Sequence, residues 1–196
     1  MINYSLLKPL TGEIIHWSQH ETNLLVIADI FNIAADARVN PAHETLHTGS
    51  GFCYLTHKKA GPDLTQACLQ LYHSLGKRPV SSVSATAAGN LDYQYVLHAV
   101  TPDWLAANPE QLLAQTYQNI LKLADQLQLH SVAIPALATG IHGLNKDLVA
   151  KVALTSLTTH LPQTNYVNRI ILVCHEPTML KAYQRINSKQ IYQPLV

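Results

Sequence analysis

Residues 131–143, SVAIPALATGIHG, are the stretch from which the fold of this 196-residue chain can be worked out. The apolar run 132–134 is too short for a helix and meets Pro135, which predicts a buried strand. Small residues and two glycines follow, after which Asn145 or Asp147 can cap an amphipathic helix. A strand, a glycine turn and a helix start direct unpaired backbone amides at an anion, so the first hypothesis is a phosphate-bearing ligand. The alternative is a small-residue connection that binds nothing.

The composition is typical of a compact globular protein. Apolar residues make up 47% of the chain and charged residues 13%, and the length suits a single domain over residues 1–196. A formal net charge of +1 without a long basic cluster disfavours sequence-specific nucleic-acid binding. Cys53, Cys68 and Cys174 contain no Cys-x-x-Cys pair, which indicates a reducing compartment. With neither a signal sequence nor a long apolar run, we expect a cytoplasmic protein without membrane contact, export as an effector being the alternative.

Hydrophobic periodicity predicts strands that alternate with helices. Strands are predicted over residues 2–7, 13–17, 24–27, 37–39, 80–86, 93–100, 132–134 and 169–174. Helices are predicted over residues 52–60, 63–75, 109–129, from 145 or 147 to 160, and from 176 to 186. This alternation indicates an α/β fold with a mostly parallel sheet, which the two opening strands make mixed.

Polar side chains and glycine loops follow the predicted strands. Ligands of α/β sheets collect at the carboxyl ends of the strands, which here carry Asp29, Asn40, the 135–143 loop and His175. A second glycine-bearing segment, residues 49–51, would face the 135–143 loop across one cleft. Two such loops can hold a diphosphate from both sides, Asp29 can accept from an exocyclic amine, and Asn40 can bind a sugar hydroxyl.

Six segments carry a resemblance to a known family. They are Ala28-Asp29-Ile30, Val39-Asn40-Pro41-Ala42-His43, Gly49-Ser50-Gly51-Phe52 with the helix end at residues 56–61, residues 98–104 (HAVTPDW), residues 135–143, and Leu172-Val173-Cys174. In this order and spacing they resemble the macro domain family, with a motif-bearing core over residues 24–186 and residues 1–23 as strands of the same domain. The resemblance implies a three-layer α/β/α sandwich around a mixed, mostly parallel sheet. It also implies a monomer without a cofactor, whose partner is ADP-ribose or an ADP-ribosylated protein.

The same resemblance assigns roles to the binding residues. Asp29 would recognise the adenine amine, with the Ile30 backbone beside it, and Asn40 would hold the distal ribose. Two loops would wrap the distal ribose and the diphosphate: Gly49, Ser50, Gly51 and Phe52 on one side, and Ala138, Thr139, Gly140, Ile141 and His142 on the other. His142 stands where similar proteins place an aromatic ring over the distal ribose. His175 would stack on the adenine, or it is a plain surface histidine.

Two positions depart from the hydrolytic branch of the family. In that branch a second Asn and an Asp position a water against the distal ribose, whereas this chain has His43 and Cys53. A histidine can act as a general base near neutral pH and a cysteine at a helix N-terminus can be a nucleophile, but both could equally be inert. The leading hypothesis is a hydrolase acting on mono-ADP-ribosyl linkages or on an ADP-ribose ester. The rival is a reader of ADP-ribosylated protein that performs no chemistry.

Residues 43–47, HETLH, match the H-E-x-x-H zinc pattern. That pattern works only where a helix presents both histidines on one face. Because Pro41 precedes the segment and Gly49 follows it closely, we expect neither a metalloprotease nor a metal in the site. The alternative is a zinc gathered at the pocket mouth by His43, His47, Cys53 and His57, although their spacing does not match the macro domains that use zinc.

Overall fold

The computed structural model of this protein describes residues 15–16 and 23–191. Its strands are β1 (Ile15–His16), β2 (Leu24–Ile27), β3 (Ala37–Pro41), β4 (Val83–Ala87), β5 (Tyr95–Ala99), β6 (Ser131–Pro135) and β7 (Arg169–Cys174). In the described part of the chain they form one sheet in the order β1-β2-β7-β6-β3-β5-β4. The five inner strands are parallel, while β1 and β4 pair antiparallel at the two edges. The predicted mixed, mostly parallel sheet is therefore confirmed.

Helices cover both faces of the sheet. They are α1 (Gly51–Ala60), α2 (Pro62–Leu75), α3 (Pro109–Gln126), α4 (Lys146–His160) and α5 (Pro177–Ile191), with short 3-10 turns at Ile30–Asn32 and Leu161–Gln163. Apolar side chains of α3, α4 and α5 pack on one face, and those of α1 and α2 pack on the other. The predicted three-layer α/β/α sandwich is thus confirmed. None of the helices in the described ranges is long and apolar enough to cross a membrane.

Strand β3, buried over its first four residues, directs its side chains to both layers. Ala37 and Val39 join the core beneath α3 and α4, and the alternation of a strand places Arg38 and Asn40 on the opposite face. All four residues have an exposed fraction of 0%. A strand covered on both faces is expected to be apolar throughout. The two polar side chains on the α1 face of β3 therefore need a specific explanation.

Most predicted element boundaries are right to within three residues, and the differences have local causes. The strand predicted from residue 80 begins at Val83, because Ser81 adopts a left-handed turn with φ +71°. The helix predicted to residue 129 ends at Gln126, because Gln128 is left-handed with φ +56°. The last helix continues to Ile191 instead of ending at residue 186. The strand predicted over residues 2–7 lies outside the described residues, as do residues 13, 14 and 17 of the second.

Candidate active site

The carboxyl ends of four neighbouring parallel strands, β2, β7, β6 and β3, form one row along the sheet edge. The segments that follow these ends carry Asp29, His175, the 138–142 loop and the chain from Asn40 to Cys53, in that order across the sheet. The amide of Ala28 donates to the carbonyl of Cys174 at 3.1 Å and so ties the first two ends together. With strands about 4.8 Å apart, the row is about 14 Å wide, which suits an extended ligand.

Asp29 stands directly after β2 on the exposed surface. Its Oδ1 accepts from the amide of Phe31 at 3.0 Å and thereby caps the 3-10 turn. The adjacent Ile30 is buried, and its carbonyl accepts the hydroxyl of Tyr93. Burial raises the pKa of Tyr93 to about 12, so this hydroxyl is a donor at neutral pH. These contacts fix the backbone on which the Asp29 carboxylate is held.

The N-terminus of α1 lacks a side-chain cap. Ser50 is the capping residue, but its hydroxyl makes no capping hydrogen bond within the described residues. Gly51 begins the helix with φ +54°, a left-handed conformation that favours glycine. The first amide of the helix to reach back is that of Tyr54, which donates to the Ser50 carbonyl at 3.4 Å. The amides of the first turn are therefore available to an anion.

The helix start after β6 is different. Asn145 caps α4 with its Oδ1, which accepts from the amides of Asp147 at 2.9 Å and Leu148 at 3.2 Å. Of the two predicted capping residues, Asn145 and Asp147, the structure shows Asn145. The cap occupies the amides of Asp147 and Leu148, so these two amides at the start of α4 are not available to an anion. The start of α1, by contrast, has no side-chain cap.

The loop after β6 is held by its own hydrogen bonds. Ala138 adopts φ +59°, and its carbonyl accepts the amide of Leu144 at 2.9 Å. The amide of Gly143 donates to the carbonyl of Gly140 at 3.0 Å. Gly140 and Ile141 form the tip, where Ile141 is 80% exposed. The loop is thus a closed turn that presents its tip and backbone to solvent.

His142 is fixed in one orientation. Its Nδ1 lies 2.8 Å from Oγ1 of Thr101 and 3.1 Å from the carbonyl oxygen of Pro102. Because a carbonyl only accepts, Nδ1 carries the proton in the neutral ring, and Nε2 is the basic nitrogen. The carbonyl of His142 accepts the amide of Trp104 at 3.0 Å, and a Cβ at Gly143 would approach Cδ1 of Trp104 to 3.2 Å. His142 therefore joins the 138–142 loop to the segment after β5.

The fold brings together Asn40 and Cys53, both of which the sequence predicts to be site residues. Nδ2 of Asn40 lies 3.5 Å from the sulfur of Cys53, in the first turn of α1. The same nitrogen lies 3.3 Å from Nδ1 of His98, while Oδ1 of Asn40 is buried without a hydrogen-bond partner among the described residues. The carboxamide thus has one end anchored and one acceptor unused.

His98 is a supporting residue to which the sequence analysis gave no role. Its Nε2 lies 2.9 Å from Oγ1 of Thr86 and 3.5 Å from the sulfur of Cys68. Burial lowers the pKa of His98 to about 3 and raises that of Cys68 to about 12, so both are neutral at physiological pH. A polar residue in the middle of the apolar strand β5 was the available sequence signal.

His43 belongs to an exposed cluster with Thr45 and His47, and the backbone carbonyl oxygen of His47 lies 3.9 Å from the sulfur of Cys53. Its Nδ1 accepts the amide of Thr45 at 3.2 Å and lies 2.9 Å from the Thr45 hydroxyl, which also contacts His47. Residues 43–47 form no helix, so they do not present the H-E-x-x-H motif in its zinc-binding form. Within residues 15–16 and 23–191, no group of three or more His, Cys, Asp or Glu side chains is placed to hold a metal.

Arg38 is a further residue that the sequence analysis missed. Its guanidinium carbon lies 4.0 Å from the centroid of the Phe31 ring and 4.8 Å from that of Phe52. Nη2 donates to Oγ1 of Thr56 at 3.0 Å. The signal was available, because Arg38 is a lone charge between apolar residues of a buried strand.

Two surface pockets lie away from the row of strand ends. One, of about 360 Å³, is lined by Asn145, Lys146, Asp147, Thr178, Lys181 and Arg185. The other, of about 570 Å³, lies between α3 and α4. Their charged walls form exposed ion pairs such as Lys146 with Glu176 and Lys151 with Glu110. The strand ends are the better candidate site, because Arg38 and Asn40, on strand β3 of that row, have buried polar atoms with unmet hydrogen bonds.

The family model described as Macro domain matches residues 39–153. The chain belongs to the macro domain family. A Macro domain-containing protein from an Acinetobacter species is 36% identical over 166 residues, which is 84% of this chain and 91% of that protein. An O-acetyl-ADP-ribose deacetylase from Citrobacter rodentium is 33% identical over 168 residues, 85% of this macro domain and 95% of that protein. A mutant Oceanobacillus iheyensis macrodomain with ADPR superposes at a TM-score of 0.84 with 25% identity, covering 93% and 100% of the two chains.

Proposed function

We propose that this macro domain binds ADP-ribose along the carboxyl ends of β2, β7, β6 and β3. The adenine would lie over Ile30 and His175 with its amine at the Asp29 carboxylate. The diphosphate would lie between the uncapped first turn of α1 and the 138–142 loop, and the distal ribose would meet Asn40. The observation that carries this proposal is the free N-terminus of α1 beside a buried carboxamide with an unused acceptor. The free backbone amides of α1 match a phosphate, and the unused carboxamide oxygen matches a sugar hydroxyl.

We further propose that the protein hydrolyses an ADP-ribose ester, adding water across the ester bond to give ADP-ribose and a carboxylic acid. O-acetyl-ADP-ribose is the first substrate to test, because relatives 32–33% identical over more than four-fifths of this chain carry the name O-acetyl-ADP-ribose deacetylase. Hydrolysis of a mono-ADP-ribosyl linkage on a protein is the neighbouring possibility for the same site. The rival function remains a reader of ADP-ribosylated protein.

Of the two candidate catalytic residues, Cys53 is the better placed. Its sulfur lies beside Asn40 and in the first turn of α1, where a bound ribose or diphosphate would be held. His43 is less well placed as a base, because its Nδ1 already accepts from Thr45, so the proton of the neutral ring stands on Nε2. A base must present an unprotonated nitrogen to the proton that it removes. His43 would have to break its contact with Thr45 to serve.

The test is release of acetate from O-acetyl-ADP-ribose by the purified protein, with ADP-ribose affinity measured in parallel. We expect Cys53→Ala to lower kcat at least tenfold while ADP-ribose affinity stays within about threefold. Cys174→Ala is the control for loss of a buried thiol. His43→Ala tests the second candidate, and its control is His130→Ala, which removes an exposed histidine away from the row of strand ends. Tight ADP-ribose binding without turnover of the ester or of an ADP-ribosylated protein would overturn the hydrolase and favour the reader.

We also propose that the chain acts as a single-domain monomer in the cytoplasm. All three cysteines are buried and unpaired, as a reducing compartment favours. Light scattering coupled to gel filtration measures the mass in solution, and a dimer mass would contradict the monomer. Fractionation of cells that express the tagged protein tests the compartment.

A further inference from the structure

Arg38 carries a buried charge that forms no ion pair within the described residues, although the Asp29 carboxylate acts on it through space and raises its pKa. Its side chain has an exposed fraction of 0%, and Nε and Nη1 have no hydrogen-bond partner among the described residues. None of the ion pairs found within those residues involves Arg38. Burial lowers the pKa of Arg38 to about 10, so the guanidinium is still protonated at neutral pH. A buried cation in this state destabilises the unliganded fold.

Two aromatic rings cover the guanidinium. Phe31 and Phe52 are both half-buried, their ring centroids lie 5.9 Å apart, and both contact Arg38. Cation–π contacts and the hydrogen bond to Thr56 compensate part of the free-energy cost of desolvating the guanidinium. They leave two donor nitrogens, Nε and Nη1, without a partner among the described residues. The unused donors thus lie under two partly exposed rings instead of inside a closed apolar core.

The position of Arg38 relates it to the ligand. Phe31 comes two residues after Asp29, at the adenine end, and Phe52 belongs to the uncapped first turn of α1, at the diphosphate end. The guanidinium therefore lies beneath the stretch that joins these two ends. Of the parts of ADP-ribose, only the diphosphate is charged, and phosphate oxygens are the preferred partners of a guanidinium fork.

We propose that Arg38 is a specificity-determining residue, the buried countercharge that makes this site select ligands that carry a phosphate. This inference rests on the proposed binding of ADP-ribose and adds to it the residue that selects for charge. On binding, Phe31 and Phe52 part, and Nε and Nη1 turn from unused donors into donors to phosphate oxygens. A purely structural role, in which Arg38 only holds the two rings, is the competing explanation.

Calorimetry separates the two roles when ADP-ribose, ADP, AMP and adenosine are titrated into matched variants. Arg38→Met keeps the length of the side chain but removes its charge, Arg38→Gln keeps a donor for Thr56, and Arg38→Lys restores the charge. Arg169→Met, at the amino end of β7, is the control for removing a partly buried arginine away from the row. We expect Arg38→Met and Arg38→Gln to weaken ADP-ribose and ADP about tenfold or more, with adenosine unchanged. Arg38→Lys should recover part of the loss, and Arg169→Met should bind as the wild type does.

A melting experiment gives an independent readout. If Arg38 is a countercharge, the melting temperature of unliganded Arg38→Gln is no lower than that of the wild type. Saturating ADP-ribose then raises the melting temperature of the variant less than that of the wild type. Unchanged ADP-ribose affinity in both neutral variants would overturn the inference and leave the proposed function intact. An equal loss for adenosine and ADP-ribose would also overturn it, in favour of the structural role. A wild-type protein that binds none of the four ligands would overturn the proposed function, and this inference with it.

Discussion

Asn40 and His98 face each other in the buried layer between the sheet and α1, with Nδ2 of Asn40 3.3 Å from Nδ1 of His98. Because an amide nitrogen only donates, Nδ1 of His98 is the acceptor, and its Nε2 carries the proton toward Thr86. A protonated His98 would set two donors against each other at this contact. The neutral ring therefore fixes which way the Asn40 carboxamide points, with Oδ1 as the end left for a ligand.

Acid should destabilise this protein through His98. Burial holds its pKa at about 3 in the folded protein, against an ordinary value of 6.5, so the unfolded chain takes up the proton first. The contribution to stability is complete above pH 6.5 and is lost as the pH falls toward 3. The loss amounts to about 5 kcal/mol over that range. Denaturant unfolding at a series of pH values measures it.

His98→Gln is the matched variant for this prediction. It should be less stable than the wild type at neutral pH, because the bonds to Asn40 and Thr86 are imperfectly replaced, but its stability should fall less steeply in acid. His130→Gln, which removes an exposed histidine, should keep the wild-type slope. If His98→Gln also keeps that slope, the neutral buried histidine is the wrong explanation of the contact.

Substitution by alanine should destabilise the protein more at Gly51 than at Gly49. Gly51 has φ +54° at the start of α1, so a Cβ there is strained although nothing lies within 4 Å. A Cβ at Gly49 would meet Cys53 at 3.5 Å, an ordinary contact. We expect Gly51→Ala to lose about 1 kcal/mol, or about 2–4 °C in Tm, and Gly49→Ala to lose much less. Scanning calorimetry of the unliganded variants measures both, and equal melting would contradict the assigned conformation.

Asn145→Ala tests which helix start binds the anion. The substitution removes the cap of α4, which should cost about 1 kcal/mol and lower Tm by about 2–4 °C. ADP-ribose affinity should be unchanged, because the free amides belong to α1. A loss of affinity for ADP-ribose but not for adenosine would instead place the diphosphate at α4.

Much of the fold could be predicted from the sequence, because its signals are local. The apolar runs that became β2, β6 and β7 are too short to be helices, and Asn145 is a recognisable cap. The errors at residues 80–82 and 127–129 arose where Ser81 and Gln128 adopt left-handed conformations, which neither residue type signals. Such turns are imposed by the packing of distant elements.

The candidate site was harder to predict, because its parts come from different strands. The motifs placed Asp29, Asn40 and the two loops, and the row of strand ends brings them to one edge. The bonds of Asn40 to His98, of His98 to Thr86 and of Arg38 to Thr56 join residues 12 to 58 positions apart. Only the pairing of β3 with β5 and of β5 with β4, together with α1 packing on β3, makes these contacts.

Removal of the Asp29 carboxylate should specifically weaken binding of the adenine. Asp29→Ala removes the acceptor for the adenine amine and also the cap on Phe31, whereas Asp29→Asn can keep the cap and loses only the charge. One charge-assisted hydrogen bond corresponds to about 10–100-fold in affinity. Adenosine should lose affinity in parallel with ADP-ribose, the opposite of the pattern expected at Arg38.

Isothermal titration of ADP-ribose into the wild type and Asp29→Ala tests whether ADP-ribose binds along the strand ends with its adenine at Asp29. We expect one molecule to bind per chain, and Asp29→Ala to weaken that binding at least tenfold while the variant remains folded. Absence of binding by the folded wild type, or equal affinity in the two proteins, would contradict the placement of ADP-ribose along the strand ends.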